Sequence, residues 1–303
     1  MNPIKRDSPW GPIAVSDAHV HFFSYAFFEK LAAQKPGLTI EAMQAQLGWH
    51  MPPTEPAQLA ALWAQELDKH GVAHAALIAS APGDEASVEA AARAFPDRFF
   101  AYSMVDPSRG WRPAELAAIR AVCLFPAMHR YSVQSAETRR VFDWAEQERR
   151  TVFVHCGVLS VGVRRKLGLD SPFDMRFSNP IDLQSVALRY PTVPIVVPHF
   201  GAGYFRETLM LADLCPNVYL DTSSSNRWML YQASNLNLRQ VFHHALSVVG
   251  PKRLLFGSDS SYFPRGWHQQ IFEEQARALY ELDLSMGDAR SIFSENLLRI
   301  ISG

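Results

Sequence analysis

Eight short apolar segments alternate with helical stretches along the sequence, at residues 13–21, 73–80, 99–105, 121–126, 151–155, 194–199, 218–222 and 253–258. Strand, helix and strand in repetition imply parallel pairing, because parallel neighbours need a crossover and a helix commonly supplies it. Stretches such as Ile195-Val196-Val197 and Arg253-Leu254-Leu255-Phe256 are too uniformly apolar for a sheet with one wet face, so burial on both faces is expected. Between them, 56–70, 135–149 and 203–214 read as amphipathic helices, the second opened by Ser135 with Thr138 and Arg139 in its first turn. Eight such units close a (β/α)8 barrel, the TIM barrel. At 303 residues and 48% apolar, the chain can bury a core of that size. The first strand starts near residue 13, which leaves no separate N-terminal domain. A last helix near 288–301, containing Ser294-Glu295-Asn296, is expected to cover the barrel. The expectation is one barrel domain over 1–303.

Two connections exceed the few residues usual between strand and helix, 22–55 after the first strand and 156–179 after the fifth. Both leave the C-terminal face, where barrels of this kind carry their chemistry. The first holds Phe22, Phe23, Tyr25, Phe27, Phe28 and Trp49. It reads equally as a lid over the barrel mouth or as a hydrophobic insertion packing a homodimer interface.

A formal net charge of -1 with no long basic run gives no electrostatic footprint for nucleic acid or an anionic membrane, so a small-molecule partner is expected. No apolar run approaches the ~20 residues of a membrane span, and the stretch from Met1 to Asp7 lacks the apolar region of a signal peptide. Cys123, Cys156 and Cys215 are odd in number and lack Cys-x-x-Cys spacing, against a disulfide framework or a thiolate metal site. A cytoplasmic setting is expected.

His19 and His21 lie two apart in Ser16-Asp17-Ala18-His19-Val20-His21, and alternate residues of a strand share a face, so both rings can reach one cation. Further polar residues end apolar strands: His155 in Val152-Phe153-Val154-His155, His199 in Val196-Val197-Pro198-His199, and Asp259 in Leu255-Phe256-Gly257-Ser258-Asp259. Five potential ligands at C-terminal strand ends of a closed barrel point at one central spot. Nitrogen and carboxylate donors suit one divalent zinc, manganese, iron or nickel ion, with zinc the default.

In these residues, together with His199-Phe200-Gly201-Ala202-Gly203 and Gly257-Ser258-Asp259, the chain resembles the amidohydrolase superfamily over nearly its whole length. Within it, the chain resembles the amidohydrolase-2 branch, that of aminocarboxymuconate-semialdehyde decarboxylase and related hydrolases and decarboxylases. The resemblance implies a barrel of the metal-dependent hydrolase type. His19, His21, His155 and Asp259 would bind one metal with a water or hydroxide in an open position. His199 would be an acid/base residue beside that water, or an additional ligand. Binuclear members carry a lysine or glutamate at the fourth strand, where this chain reads Ala121-Val122-Cys123-Leu124-Phe125-Pro126, so a mononuclear site is expected and Cys123 reads as a buried filler. Asp17 shares the face of the two histidines and either orients a ligand imidazole or lies one core layer lower.

Loops at the active face carry His129, Arg130 and Tyr131 after the fourth strand, Arg164, Arg165 and Arg176 after the fifth, and Tyr204 and Arg206 after the sixth. Asn226, Arg227 and Trp228 follow the seventh strand, and Tyr262, Phe263, Arg265 and Trp267 the eighth. Cations interleaved with aromatics suit a flat anionic ring compound. His129, Arg130, Tyr131, Arg176, Asn226 and Trp228 are taken as substrate contacts. The leading function is hydrolysis of an amide, ester or lactone carbonyl of a cyclic or aromatic carboxylate, with Asp259 and His199 as the catalytic pair. Non-oxidative decarboxylation of a ring acid and metal-free lactone hydrolysis are the alternatives.

Overall fold

Eight parallel strands pair in chain order, β1 (Ser16–Phe22), β2 (His74–Ala79), β3 (Phe99–Val105), β4 (Ala121–Leu124), β5 (Thr151–Val154), β6 (Ile195–Val197), β7 (Val218–Asp221) and β8 (Leu254–Leu255). The computed structural model describes residues 4–223 and 226–302. The barrel closes between β8 and β1 through backbone hydrogen bonds from Ala18 N–H to Phe256 O (2.8 Å), Asp259 N–H to His19 O (3.0 Å) and His21 N–H to Ser260 O (2.7 Å).

Several strands stop earlier than their apolar runs. Pro126 and Pro198 lack the N–H a ladder needs, and each begins a helical turn instead, Pro126–His129 and Pro198–Gly201. β8 pairs over only two residues. Beyond it, any side chain at Gly257 would run into the Asp221 carboxylate, and Asp259 takes a left-handed φ of 58°.

Barrel-interior residues Ala76, Ile78, Tyr102, Met104, Cys123, Phe153 and Val196 form one apolar cluster with Leu297, Ile300 and Ile301. Those last three lie on helix Asn296–Ile301, the end of the segment expected to cover the barrel. Thr151 at the start of β5 donates to Ile300 O (2.9 Å), and the Asn296 amide donates to Pro251 O and Leu254 O (both 2.8 Å), so this helix plugs the end opposite the chemistry. Outside the strands, helices Pro56–Lys69, Ala136–Gln147 and Phe205–Leu214 bury Trp63, Phe142 and Leu211 against outward strand residues such as Leu77 and Val152. Ser135 caps the second of these helices by accepting from Thr138 N–H.

The two long connections meet over the mouth. Residues 22–55 form helices Tyr25–Ala32 and Ile40–Leu47, and 156–179 contain helix Gly162–Leu167. Phe27, Phe28, Leu31, Met43, Leu47 and Trp49 pack with Val163, Leu167 and Leu169 in one buried cluster, so most of the aromatic surface of the first insertion is covered by the second. Among the described residues no helix is long and apolar enough to cross a membrane.

Candidate metal centre and active site

The end of β1 and the turn after β8 bring three donor atoms together. His19 Nε2 lies 3.4 Å from His21 Nε2, and Asp259 Oδ1 lies 3.7 Å from the first and 3.3 Å from the second. Their partners fix which nitrogens carry protons. His19 Nδ1 is 2.7 Å from the wholly buried Asp221 carboxylate and therefore donates to it. His21 Nδ1 is 2.7 Å from Ser80 Oγ, whose own proton goes to Ile78 O, so the ring donates here too. In neutral rings both Nε2 atoms then face the Asp259 oxygen with lone pairs and no proton between them. Tetrahedral bonds of about 2.0–2.1 Å place ligand atoms about 3.4 Å apart, close to the separations seen, and a cation turns this repulsive meeting of acceptors into a bonded one.

His155, just past β5, and His199, in the turn after β6, stand on the far side of this trio. The His199 ring lies 5.1 Å from that of His19 and 5.4 Å from that of His155. His199 Nδ1 is 3.0 Å from Ser223 O, a pure acceptor, so its Nε2 is the unprotonated nitrogen. His155 Nδ1 is buried without a hydrogen-bond partner, which costs about 1–3 kcal/mol if nothing satisfies it. An orphaned imidazole nitrogen on the wall of the same cavity fits a further bond to the same ion. His155 nevertheless lies outside the tight group of His19, His21 and Asp259, whose donor atoms are all within 4.8 Å of one another.

Burial lowers the imidazole pKa values of His21, His155 and His199, which keeps these rings neutral and able to ligate. At His19 burial pulls the same way, but Asp221 outweighs it and raises the pKa. Burial pushes the Asp259 carboxyl up, yet imidazoles at His21, His19 and His199, when protonated, hold it far below the ordinary carboxylate range.

Asp17 does not touch an imidazole ring. Its carboxylate accepts from the backbone N–H groups of His19 (2.9 Å) and Ser258 (3.0 Å) and from the Trp267 indole (2.7 Å), while burial pushes its pKa up to about 6. Asp221, Ser223 and Ser80 are absent from the sequence reading. Asp221 ends an apolar strand as His155 and Asp259 follow theirs, so the same rule marks it.

A cavity of about 610 Å³ opens above the trio, roofed by the two insertions. Phe23, Phe27, Trp49, Trp228 and Tyr262 supply aromatic wall, and Arg165, Lys166, Arg227 and Arg265 supply positive charge against Asp259, the single acid among the described lining residues. Tyr262 stacks on Trp49 at 3.9 Å, with Arg265 over the outer face of Tyr262. Of the six residues taken as substrate contacts, Trp228 lines this cavity; His129, Arg130, Tyr131, Arg176 and Asn226 lie outside its lining. The turn at Pro126 explains the first group, since it presents Met128 to the cavity and carries the next residues away. His129 stacks on Tyr131, which is buried in the outer core, Arg130 donates to Pro172 O (2.8 Å), and exposed Arg176 is paired with Asp174 (2.6 Å).

A family model described as amidohydrolase matches residues 16–300. The chain belongs to the amidohydrolase family. It is accordingly an enzyme of that superfamily, and its (β/α)8 barrel is the fold of similar solved structures. A probable 2-pyrone-4,6-dicarboxylic acid hydrolase from Acinetobacter baumannii, with citric acid bound, superposes with a TM-score of 0.64 at 15% identity, covering 96% of this chain and 100% of that one. The 5-carboxyvanillate decarboxylase of Novosphingobium aromaticivorans, complexed with manganese and a nitrobenzoic acid, gives 0.64 at 14% identity over 100% and 99%. A Burkholderia multivorans amidohydrolase with bound zinc gives 0.61 at 16% over 95% and 99%. Among curated proteins, Protein fluG of Emericella nidulans is 36% identical over 95 residues, 31% of this chain and 10% of that protein, so the match spans about a tenth of its length. In this amidohydrolase, then, His19, His21 and Asp259 are grouped closely enough to hold a metal ion and line the cavity.

Proposed function

We propose that this amidohydrolase hydrolyses an amide, ester or lactone carbonyl of a cyclic or aromatic carboxylate, with one divalent cation, zinc by preference, held by His19, His21, His155 and Asp259. The observation that carries the reading is the convergence of two imidazole Nε2 atoms and a carboxylate oxygen at 3.3–3.7 Å. A divalent ion held there would supply a hydroxide at neutral pH and Lewis acidity toward a carbonyl. The rest falls to the chain. Asp259 retains 28% side-chain exposure on the cavity side and, being ionised, accepts a proton from water and returns it to the leaving group. His199, pinned through Nδ1 by Ser223, presents Nε2 to stabilise the developing oxyanion or to share the proton. The aromatic and cationic walls suit a flat anion.

The supporting features extend to setting and architecture. Three free, buried cysteines accord with the reducing cytoplasm, and residues 1–303 read as one barrel domain whose 22–55 insertion roofs the mouth.

Elemental analysis by ICP-MS before and after chelation, followed by assay of ring carboxylic esters and lactones in ¹⁸O-labelled water, tests the proposal. About one metal per chain and label in the product acid are expected. Carbon dioxide release without label incorporation would replace hydrolysis by decarboxylation, and full activity in metal-free protein would replace it by metal-free lactone hydrolysis. A His199→Ala variant is expected to keep its metal while kcat falls by about 10²-fold or more. Near-complete metal loss in that variant would make His199 a ligand.

A further inference from the structure

We propose that Trp267 is a positioning residue for the metal centre, acting through Asp17 to hold the two backbone segments that carry His19 and Asp259. This rests on the reading that those residues bind a cation. Regular pairing is short beneath them. β8 pairs over two residues, and β1 changes register between Asp17 and Val20. Where regular pairing lapses, a side chain takes over. One oxygen of the wholly buried Asp17 carboxylate accepts both from His19 N–H (2.9 Å) and from Ser258 N–H (3.0 Å), the peptide next to Asp259. Asp259 N–H in turn donates to His19 O (3.0 Å), and Asp259 sits at φ 58°. Rotation of the carboxylate would free both segments at once. Its second oxygen is held by Trp267 Nε1 at 2.7 Å.

Trp267 has its own supports. It is 2% exposed, the Arg6 guanidinium stands 5.2 Å from its ring centroid, and its backbone N–H donates to Glu66 Oε1 (3.1 Å). The N-terminal segment and helix Pro56–Lys69 thereby fix an indole whose N–H fixes a carboxylate whose other oxygen fixes the ligand backbones. Outer partners of metal ligands commonly govern affinity by 10–100-fold.

The experiment is a Co(II) titration of the metal-free full-length chain, reading affinity and the visible ligand-field band. It compares wild type, Trp267→Phe, Asp17→Asn, their double variant, and Trp63→Phe, which removes an outer-core indole other than the one bonded to Asp17. Trp267→Phe is expected to weaken Co(II) binding about 10-fold and to shift the band. Trp63→Phe should do neither. Asp17→Asn alone should cost more, because its amide must set N–H against the indole N–H, and that extra cost should shrink in the Trp267→Phe background. Wild-type affinity and band in Trp267→Phe, or a loss no larger than in Trp63→Phe, would overturn the proposal. Should Trp267→Phe not fold, unchanged affinity in Asp17→Asn overturns it instead. Failure of the wild type to take up Co(II) would overturn the metal-site reading and this one with it, a result separable from the Trp267 comparison.

Discussion

An Asp259→Asn variant is expected to lose about 10²–10⁴-fold in kcat, together with part of its metal, while its fold survives. Asparagine keeps the shape of the side chain and tolerates the left-handed φ of 58° better than most residues, so the backbone has no reason to move. What changes is charge. The carboxylate oxygen facing both Nε2 atoms becomes half of a neutral amide, a poor ligand and no base. Alanine at the same position would mix this loss with strain, since a Cβ residue without a local polar side chain costs about 1–2 kcal/mol in that region. The comparison is made by steady-state kinetics beside metal content per chain. A variant retaining kcat within threefold at full metal occupancy would remove Asp259 from both roles.

The barrel was legible because its cause is local. Uniformly apolar runs such as Ile195–Val197 can only be strands buried on both faces, and the helices between them carry their own stripe of apolar residues. The meeting of His19, His21 and Asp259 was legible for the same reason. A polar residue that ends a buried strand must emerge at the mouth, and His19, His21 and Asp259 converge there as that rule requires. Loops obey no such period. Whether His129 or Met128 faces the cavity depends on the turn that Pro126 starts, and whether Arg176 meets a ligand depends on Asp174 two residues away. Lys166 reaches the cavity because helix Gly162–Leu167 packs on Trp49 from an insertion more than a hundred residues earlier. Such contacts are made by tertiary packing, and no spacing in the sequence announces them.

Asp221 ends the buried strand β7 much as the metal-facing residues follow theirs, and its removal should have the second largest effect. Asp221→Ala is expected to weaken metal affinity about 10–100-fold, measured by competition with a chromophoric chelator. The carboxylate serves two histidines. One oxygen takes the His19 Nδ1 proton, fixing the tautomer that leaves Nε2 for the metal. The other accepts from Ser223 N–H at 2.7 Å, and Ser223 O accepts from His199 Nδ1. Alanine therefore unpins a ligand and, through the 221–223 turn, the proposed acid/base residue, so kcat at saturating metal should fall as well. Asp221→Asn separates the two effects, because its amide oxygen still accepts from one partner but not from both. Gly257→Ala tests the packing side of the same contact. A methyl group there meets the Asp221 carboxylate and Ser223 Cβ (2.9 Å) closer than real Cβ atoms approach, and His19 Cβ at a tight 3.0 Å. It should reproduce the weakened metal binding with every ligand still in place. Wild-type affinity in both Asp221→Ala and Gly257→Ala would mean that His19 holds its tautomer and position without this carboxylate, and that the backbone at the β8–β1 seam alone orients the site.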